Sequence, residues 1–191
     1  MPTLDELLGE PHHFLAELEL GLLDHGLPPA LGPMDHICYR AADPQEYLRL
    51  RSALARFGDC LVEGMIGNRP IITFRLHQPL ASSFGPIPCI ELAAPKAGKQ
   101  HRHGLEHGEI VVNNLQQLLA DYPWIPFNTR GLQGHPPELT LALPPYQVKF
   151  HHHSLADTIA LEIARGEVIP VPADYWLKDS GKPSKSSTDL M

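Results

Sequence analysis

Twelve histidines stand among the 191 residues of this chain, and several recur two residues from a Glu, Arg, Lys or Cys inside short segments of alternating polarity. Imidazole nitrogen and carboxylate oxygen are donors that borderline divalent metals accept, and imidazole also carries protons near neutral pH. The period of two in a β-strand sorts these residues onto faces. In Met34 to Arg40, the residues His36, Cys38 and Arg40 share one face, against Ile37 and Tyr39. In Ile71 to His77, Thr73, Arg75 and His77 oppose Ile72, Phe74 and Leu76. Cys89, Glu91 and Ala93 oppose Ile90 and Leu92, and His107, Glu109 and Val111 oppose Ile110 and Val112. Finally, Gln147, Lys149 and His151 oppose Tyr146, Val148 and Phe150.

Each segment thus has an apolar face that helices can cover and a face bearing chemistry. One explanation is the solvated outer side of an antiparallel sheet. The other is the lining of a concave cavity. Histidines and a glutamate at the two ends of each half favour the cavity.

The elements that must position these faces follow from periodicity and punctuation. Leu4 to His25 carries Leu7, Leu8, Phe14, Leu15, Leu18, Leu22 and Leu23 at amphipathic helical spacing, interrupted near Pro11. That stripe reads as packing surface or as a homodimer contact. After Gly26-Leu27-Pro28-Pro29, Met34 to Arg40 reads as a strand. Asp43-Pro44 then caps a helix running to about Phe57. Strands are expected at Cys60 to Ile66, Ile71 to His77 and Ile87 to Ala93, with Gly67-Asn68-Arg69-Pro70 as a hairpin turn. The order then restarts: a strand from Leu105 to Val112, a helix capped by Asn113/Asn114, strands Leu139 to Leu143 and Tyr146 to His151, and a helix from Ser154 to Arg165. The Pro-rich stretch through Trp124, Pro126 and Gly131 gives no placeable strand.

Composition excludes several classes of function. The formal charge is −7, from 15 Lys+Arg against 22 Asp+Glu, which argues against a nucleic-acid or anionic-membrane surface. No apolar run reaches the length of a membrane span, and the acidic start Met1-Pro2-Thr3-Leu4-Asp5-Glu6 does not read as a secretory signal. Three cysteines, Cys38, Cys60 and Cys89, make no disulfide framework and point to a reducing cytoplasm.

The motifs resemble those of the vicinal oxygen chelate superfamily, which includes glyoxalase I, extradiol dioxygenases and methylmalonyl-CoA epimerase. There, two βαβββ modules form a half-open barrel, and each module supplies one metal ligand from its first strand and one from its last. Asp35-His36-Ile37 resembles the first strand of module one, and Ile90-Glu91-Leu92 its last. Glu106-His107-Gly108-Glu109-Ile110-Val111 resembles the first strand of module two, and Val148-Lys149-Phe150-His151 its last. More narrowly, these segments, with Asn68-Arg69-Pro70-Ile71 and Pro137 through Leu141, resemble the YecM family, bacterial proteins described as metal-binding enzymes without an assigned reaction. Two departures stand out: Gly108 where Ile is expected, and His152 where the family tends to have Pro.

The resemblance implies an α+β fold: two βαβββ modules in a half-open mixed-sheet barrel, with an N-terminal helical extension. Residues 1–30 would be the extension and 33–170 the domain, its modules spanning about 33–95 and 104–153. Residues 178–191, rich in Ser and Lys, read as a disordered tail. It also implies His36, Glu91, His107 and His151 as ligands of a divalent metal (zinc, nickel, cobalt, iron or manganese). Glu109 is the candidate base or a partner of a ligand. Arg40, Arg75 and Lys149 would face a small anionic substrate with two adjacent oxygens. Cys38 and Cys89 are expected as inert lining, and His101-Arg102-His103 as a solvated loop. The expected activity is glyoxalase-like lyase or isomerase chemistry. The alternatives are a binding protein without catalysis, an interaction protein, and a non-haem iron dioxygenase, the last weakened by His151 standing where a carboxylate is usual.

Overall fold

Helix caps and turn residues set the element boundaries. Thr3 and Glu6 form a capping box for α1 (Leu4–Leu8), Gly9 closes it with a φ of 69°, and Pro11 opens α2 (Pro11–Asp24) as its first residue. The expected interruption near Pro11 is therefore a helix start. After β1 (Met34–Arg40), Asp43 accepts from the Glu46 amide to cap α3 (Pro44–Leu54), which stops three residues short of Phe57. β2 (Gly58–Ile66) and β3 (Arg69–Leu80) are joined by Gly67 and Asn68, both at positive φ (57° and 66°). Such a two-residue hairpin turn matches the strand twist, so Arg69 and Pro70 belong to β3 rather than to the turn. β4 (Ile87–Ala93) and β5 (Gly104–Val111) follow, and Asn114 caps α4 (Leu115–Asp121) by accepting from two amides. The chain continues through β6 (Leu139–Leu143), β7 (Tyr146–His151) and α5 (Leu155–Arg165), which is capped by Ser154 and closed by Gly166.

This computed structural model describes residues 2–96 and 102–177, so the expected tail, Lys178 to Met191, and His101 lie outside the described residues. The seven strands form one open mixed sheet in the order β2-β3-β4-β1-β5-β7-β6, which gives the α+β layout expected from the resemblance. β1 and β5 pair antiparallel at its centre, and each also takes a parallel partner, β4 and β7 respectively. The first unit is β1-α3-β2-β3-β4. The second has β5-α4-β6-β7, with an isolated Asn128–Thr140 bridge where the first unit has an entire strand. Pro123, Pro126, Pro136 and Pro137 remove ladder donors from that stretch.

One side of the sheet carries Ile37, Tyr39, Ile90, Leu92, Ile110, Val148 and Phe150, buried under Leu15, Leu18, Leu50 and Leu115 of the helices. The leucine stripe of α1 and α2 packs within the chain except at Leu23, which is exposed. The centre of the other side is not solvated: β1 is buried at all seven positions, and α5 lies over the inner face with Ile159 buried and the Leu155 amide bonded to Asp35. No described helix is long and apolar enough to cross a membrane.

Gly108 points to the helix-covered side, where a Cβ would come within 2.8 Å of Met34 Sδ and 3.1 Å of Leu18 Cδ1. Met34 thus fills the space that a larger residue would take at 108. Overpacking predicts that Gly108→Val lowers unfolding free energy by about 1–3 kcal/mol. In urea titrations, Met34→Ala in the same chain should restore part of that loss.

Candidate metal centre

Two β-bulges in the β1–β5 pair build the site. Cys38 stands opposite His107, and His36 opposite Glu109, but Tyr39 pairs with Leu105 and Met34 with Ile110. Glu106 and Asp35 are therefore the extra residues. Each bulge turns an acid onto the inner side next to the histidine that follows it. Asp35 Oδ2 accepts from His36 Nδ1 at 3.0 Å and from the Leu155 amide at 2.6 Å. Glu106 Oε1 lies 3.9 Å from His107 Nδ1, while its other oxygen accepts from Arg40 Nε. Asp35 thus orients the His36 ring through Nδ1, whereas His107 Nδ1 has a carboxylate nearby but no hydrogen-bond partner.

The Nε2 atoms of His36 and His107 meet at one carboxylate. His107 Nε2 donates to Glu109 Oε1 at 3.0 Å, and His36 Nε2 lies 3.5 Å from the same oxygen. His151 Nε2 is 2.6 Å from Glu109 Oε2, and Lys149 Nζ is 3.2 Å from Oε1. Despite that proximity, the buried Nε2 atoms of His36 and His151 make no directional hydrogen bond. The donor atoms of His36, His107 and Glu109 lie within 4.8 Å of one another. Asp35, His36, Glu109, His151, His153 and Leu155 help to line a recess of about 40 Å³, room for an ion and a water or two. Unpartnered imidazole nitrogens, a nitrogen-oxygen donor set and a space of that size fit a divalent ion.

The electrostatics are tightly coupled. Burial opposes the charge on Glu109, but His36 and Lys149 outweigh it and hold the carboxyl well below its usual range. Burial likewise opposes the His36 imidazolium, yet Glu109 and Asp35 push it up to about 10. His107 is raised against burial by the nearby carboxylates of Glu106 and Glu109. Lys149 is raised against burial by Glu109 and Glu138, the latter 3.5 Å away.

Of the residues singled out in the sequence, the structure brings His36, His107, His151, Glu109 and Lys149 together. Glu91 lies one row away, where it accepts from Cys38 Sγ at 3.2 Å and forms a second donor group with Cys38 and His107. The parallel registers show how the units correspond. Glu91 is beside Cys38, two residues after His36, and Lys149 is beside Glu109, two residues after His107. Lys149 therefore takes the second unit's counterpart of the Glu91 position, and His151 reaches Glu109 from one row beyond, opposite Val111. Arg40 is buried against Glu106, whereas Arg75 is exposed on β3 opposite Cys89. Cys38 is buried, its thiol pushed well up by desolvation and by Glu91. Alternation missed Asp35, Glu106 and Glu138. The available signal was the repeated acid-His dipeptide, Asp35-His36 and Glu106-His107.

The family model described as YecM protein matches residues 3–125. Protein YecM of Escherichia coli (strain K12) is 30% identical over 145 residues, covering 67% of this chain and 77% of that protein. The solved structure of a structural-genomics target, protein EC4020, superposes with a TM-score of 0.71 at 27% identity, covering 83% of this chain and 92% of that one. A Streptomyces coelicolor methylmalonyl-CoA epimerase covers 64% of this chain and 99% of its own at 12% identity, with a TM-score of only 0.45.

Metal ligation requires deprotonated imidazole. His36, held up at about 10, keeps a proton that an ion must displace. Apparent metal affinity should therefore rise between pH 6 and 9, by about tenfold per pH unit for each displaced proton. Calorimetry in buffers of different ionisation enthalpy should show net proton release.

Proposed function

The chain belongs to the YecM family, and for it we propose a divalent-metal-dependent enzyme of vicinal oxygen chelate type. Its substrate would be a small anion with two adjacent oxygens, and its reaction a glyoxalase-like proton transfer, as a lyase or isomerase. One observation carries this reading: three imidazoles from three strands, two buried and His151 partly so, converge on Glu109, and those of His36 and His151 have an unpartnered Nε2. A chelated divalent ion supplies Lewis acidity that makes a proton next to a carbonyl easier to remove.

The remaining roles fall to the chain's own groups. His36, His107, His151 and Glu109 are the proposed ligands, and Asp35 orients the His36 ring. Glu109 is buried and encircled by cations, so it suits ligation. Glu91 is more exposed and borders the same histidine, so it suits moving a proton to and from substrate. The roles expected for Glu91 and Glu109 from the resemblance are thus exchanged. Arg40, Arg75 and Lys149 give the inner face the positive groups that favour an anionic substrate. A cytoplasmic setting is part of the proposal and suits three cysteines that form no disulfide.

One feature favours a second reading. His36, His107 and Glu109 by themselves make the two-histidine, one-carboxylate set of non-haem iron oxygenases. Substrate-dependent oxygen consumption by the iron-loaded protein would support it.

The primary reading is tested with untagged protein purified without a chelating column. Elemental analysis should find about one divalent ion per chain. The double variant His36→Ala with His107→Ala should lose it, and Glu109→Gln should weaken binding by about 10–100-fold. Glu91→Gln should keep its metal but stop deuterium incorporation into 2-oxo or 2-hydroxy acids followed by NMR. Absence of metal from the wild-type chain, or unchanged metal binding in the double variant, would refute the metalloenzyme.

A further inference from the structure

Two guanidinium groups on the inner face hold buried N–H groups that nothing among the described residues satisfies. Arg40 is 6% exposed, and its Nε is bonded to Glu106, but Nη1 has no hydrogen-bond partner. Arg69 is partly buried, and its Nε is likewise unpartnered. Their placement follows from register. Ala93 pairs with Arg40 on one side and with Ile71 on the other, and Arg69 lies two residues before Ile71, hence on the same face. Between them, Cys38, Ile71 and Ala93 form a small buried apolar cluster of their own.

Two like charges in one partly desolvated place are unfavourable without an anion. Burial and the nearby Arg40 charge weigh against the Arg69 cation. The neighbouring carboxylates already have partners: Glu106 takes Arg40 Nε, and Glu91 accepts from Cys38. Of the other cations considered for substrate, Lys149 is committed to Glu109 and Glu138, and Arg75 is exposed.

We propose that Arg40 and Arg69 form an oxyanion subsite, in which Arg40 Nη1 and Arg69 Nε hold a carboxylate or phosphate group of the substrate. As the address of the substrate's anionic end, this rests on the metalloenzyme reading above. It also sets a dimension. Arg40 lies four residues along β1 from His36, about 13 Å of strand, and two from Cys38, the residue opposite His107. An anionic group there would sit on the order of 7–10 Å from oxygens chelated between the two histidines. The substrate class is accordingly a short acid or phosphoester whose anionic group lies several bonds from its paired oxygens.

The test titrates the full chain with succinate and with inorganic phosphate at constant ionic strength, with and without manganese(II). Wild type should bind one equivalent saturably, and the tighter of the two probes identifies the anion. Arg69→Gln should weaken that binding about tenfold or more, and Arg69→Lys should weaken it less, because a point charge replaces the fork. Manganese affinity and thermal midpoint should stay unchanged in both variants. Equal anion binding in wild type and Arg69→Gln, no saturable binding of either probe, or a parallel loss of manganese in Arg69→Gln would each overturn the subsite. If wild type binds no metal yet binds anions in an Arg69-dependent way, the subsite stands and the metalloenzyme reading falls.

Discussion

The charge on Glu109 is the constraint that organises the inner face. A carboxylate taken out of water is costly unless cations and hydrogen bonds replace its hydration. Here His36, His107, His151 and Lys149 approach it from β1, β5 and β7. Burial also disfavours the charge on His36, His107 and Lys149, which the surrounding carboxylates offset. Asp35 and Glu106 extend the compensation outward to α5 and to Arg40. Such an arrangement favours exchange of protons for a divalent cation, because charge balance is preserved while the unpartnered imidazole nitrogens gain a partner.

The two halves of the sheet are alike in backbone and unlike in chemistry. Each central strand carries an acid-His pair at a bulge and takes a parallel partner whose next inner residue lies beside the position two beyond that histidine. In the first unit that place joins Cys38 to Glu91; in the second it joins Glu109 to Lys149. A carboxylate has in effect moved from the last strand to the first, and a lysine has taken the vacated place. The first unit is left with an accessible acid and a thiol, the second with a buried acid caged by cations. In the proposed function that asymmetry would separate a ligand role from a proton-transfer role, and the unsatisfied guanidinium groups of Arg40 and Arg69 lie at the first unit's end.

Much of the architecture was legible in the residues. Period-two alternation placed β1, β4, β5, β6 and β7 within a residue or two. Asp43, Asn114 and Ser154 marked helix starts because their side chains satisfy free amides there. Alternation also put His36, His107 and Glu109 on inner faces. It misplaced Asp35 and Glu106 because a bulge adds one residue to a strand and shifts the phase of everything beyond it. The Pro-rich stretch before β6 resisted placement for a related reason, since its partner in the sheet is a single bridge at Asn128.

By itself, then, the chain of residues determined the family pattern, the order of elements and which side chains share a strand face, because composition, caps and periodicity are local properties. The tertiary structure alone decided which carboxylate sits between the histidines. Along the chain, the resemblance pointed to Glu91 as the ligand and to Glu109 as a base or a partner of a ligand. Only the antiparallel register of β1 against β5, shifted by two bulges, puts Glu109 opposite His36 and leaves Glu91 one row away, and register is set by pairing between strands about seventy residues apart.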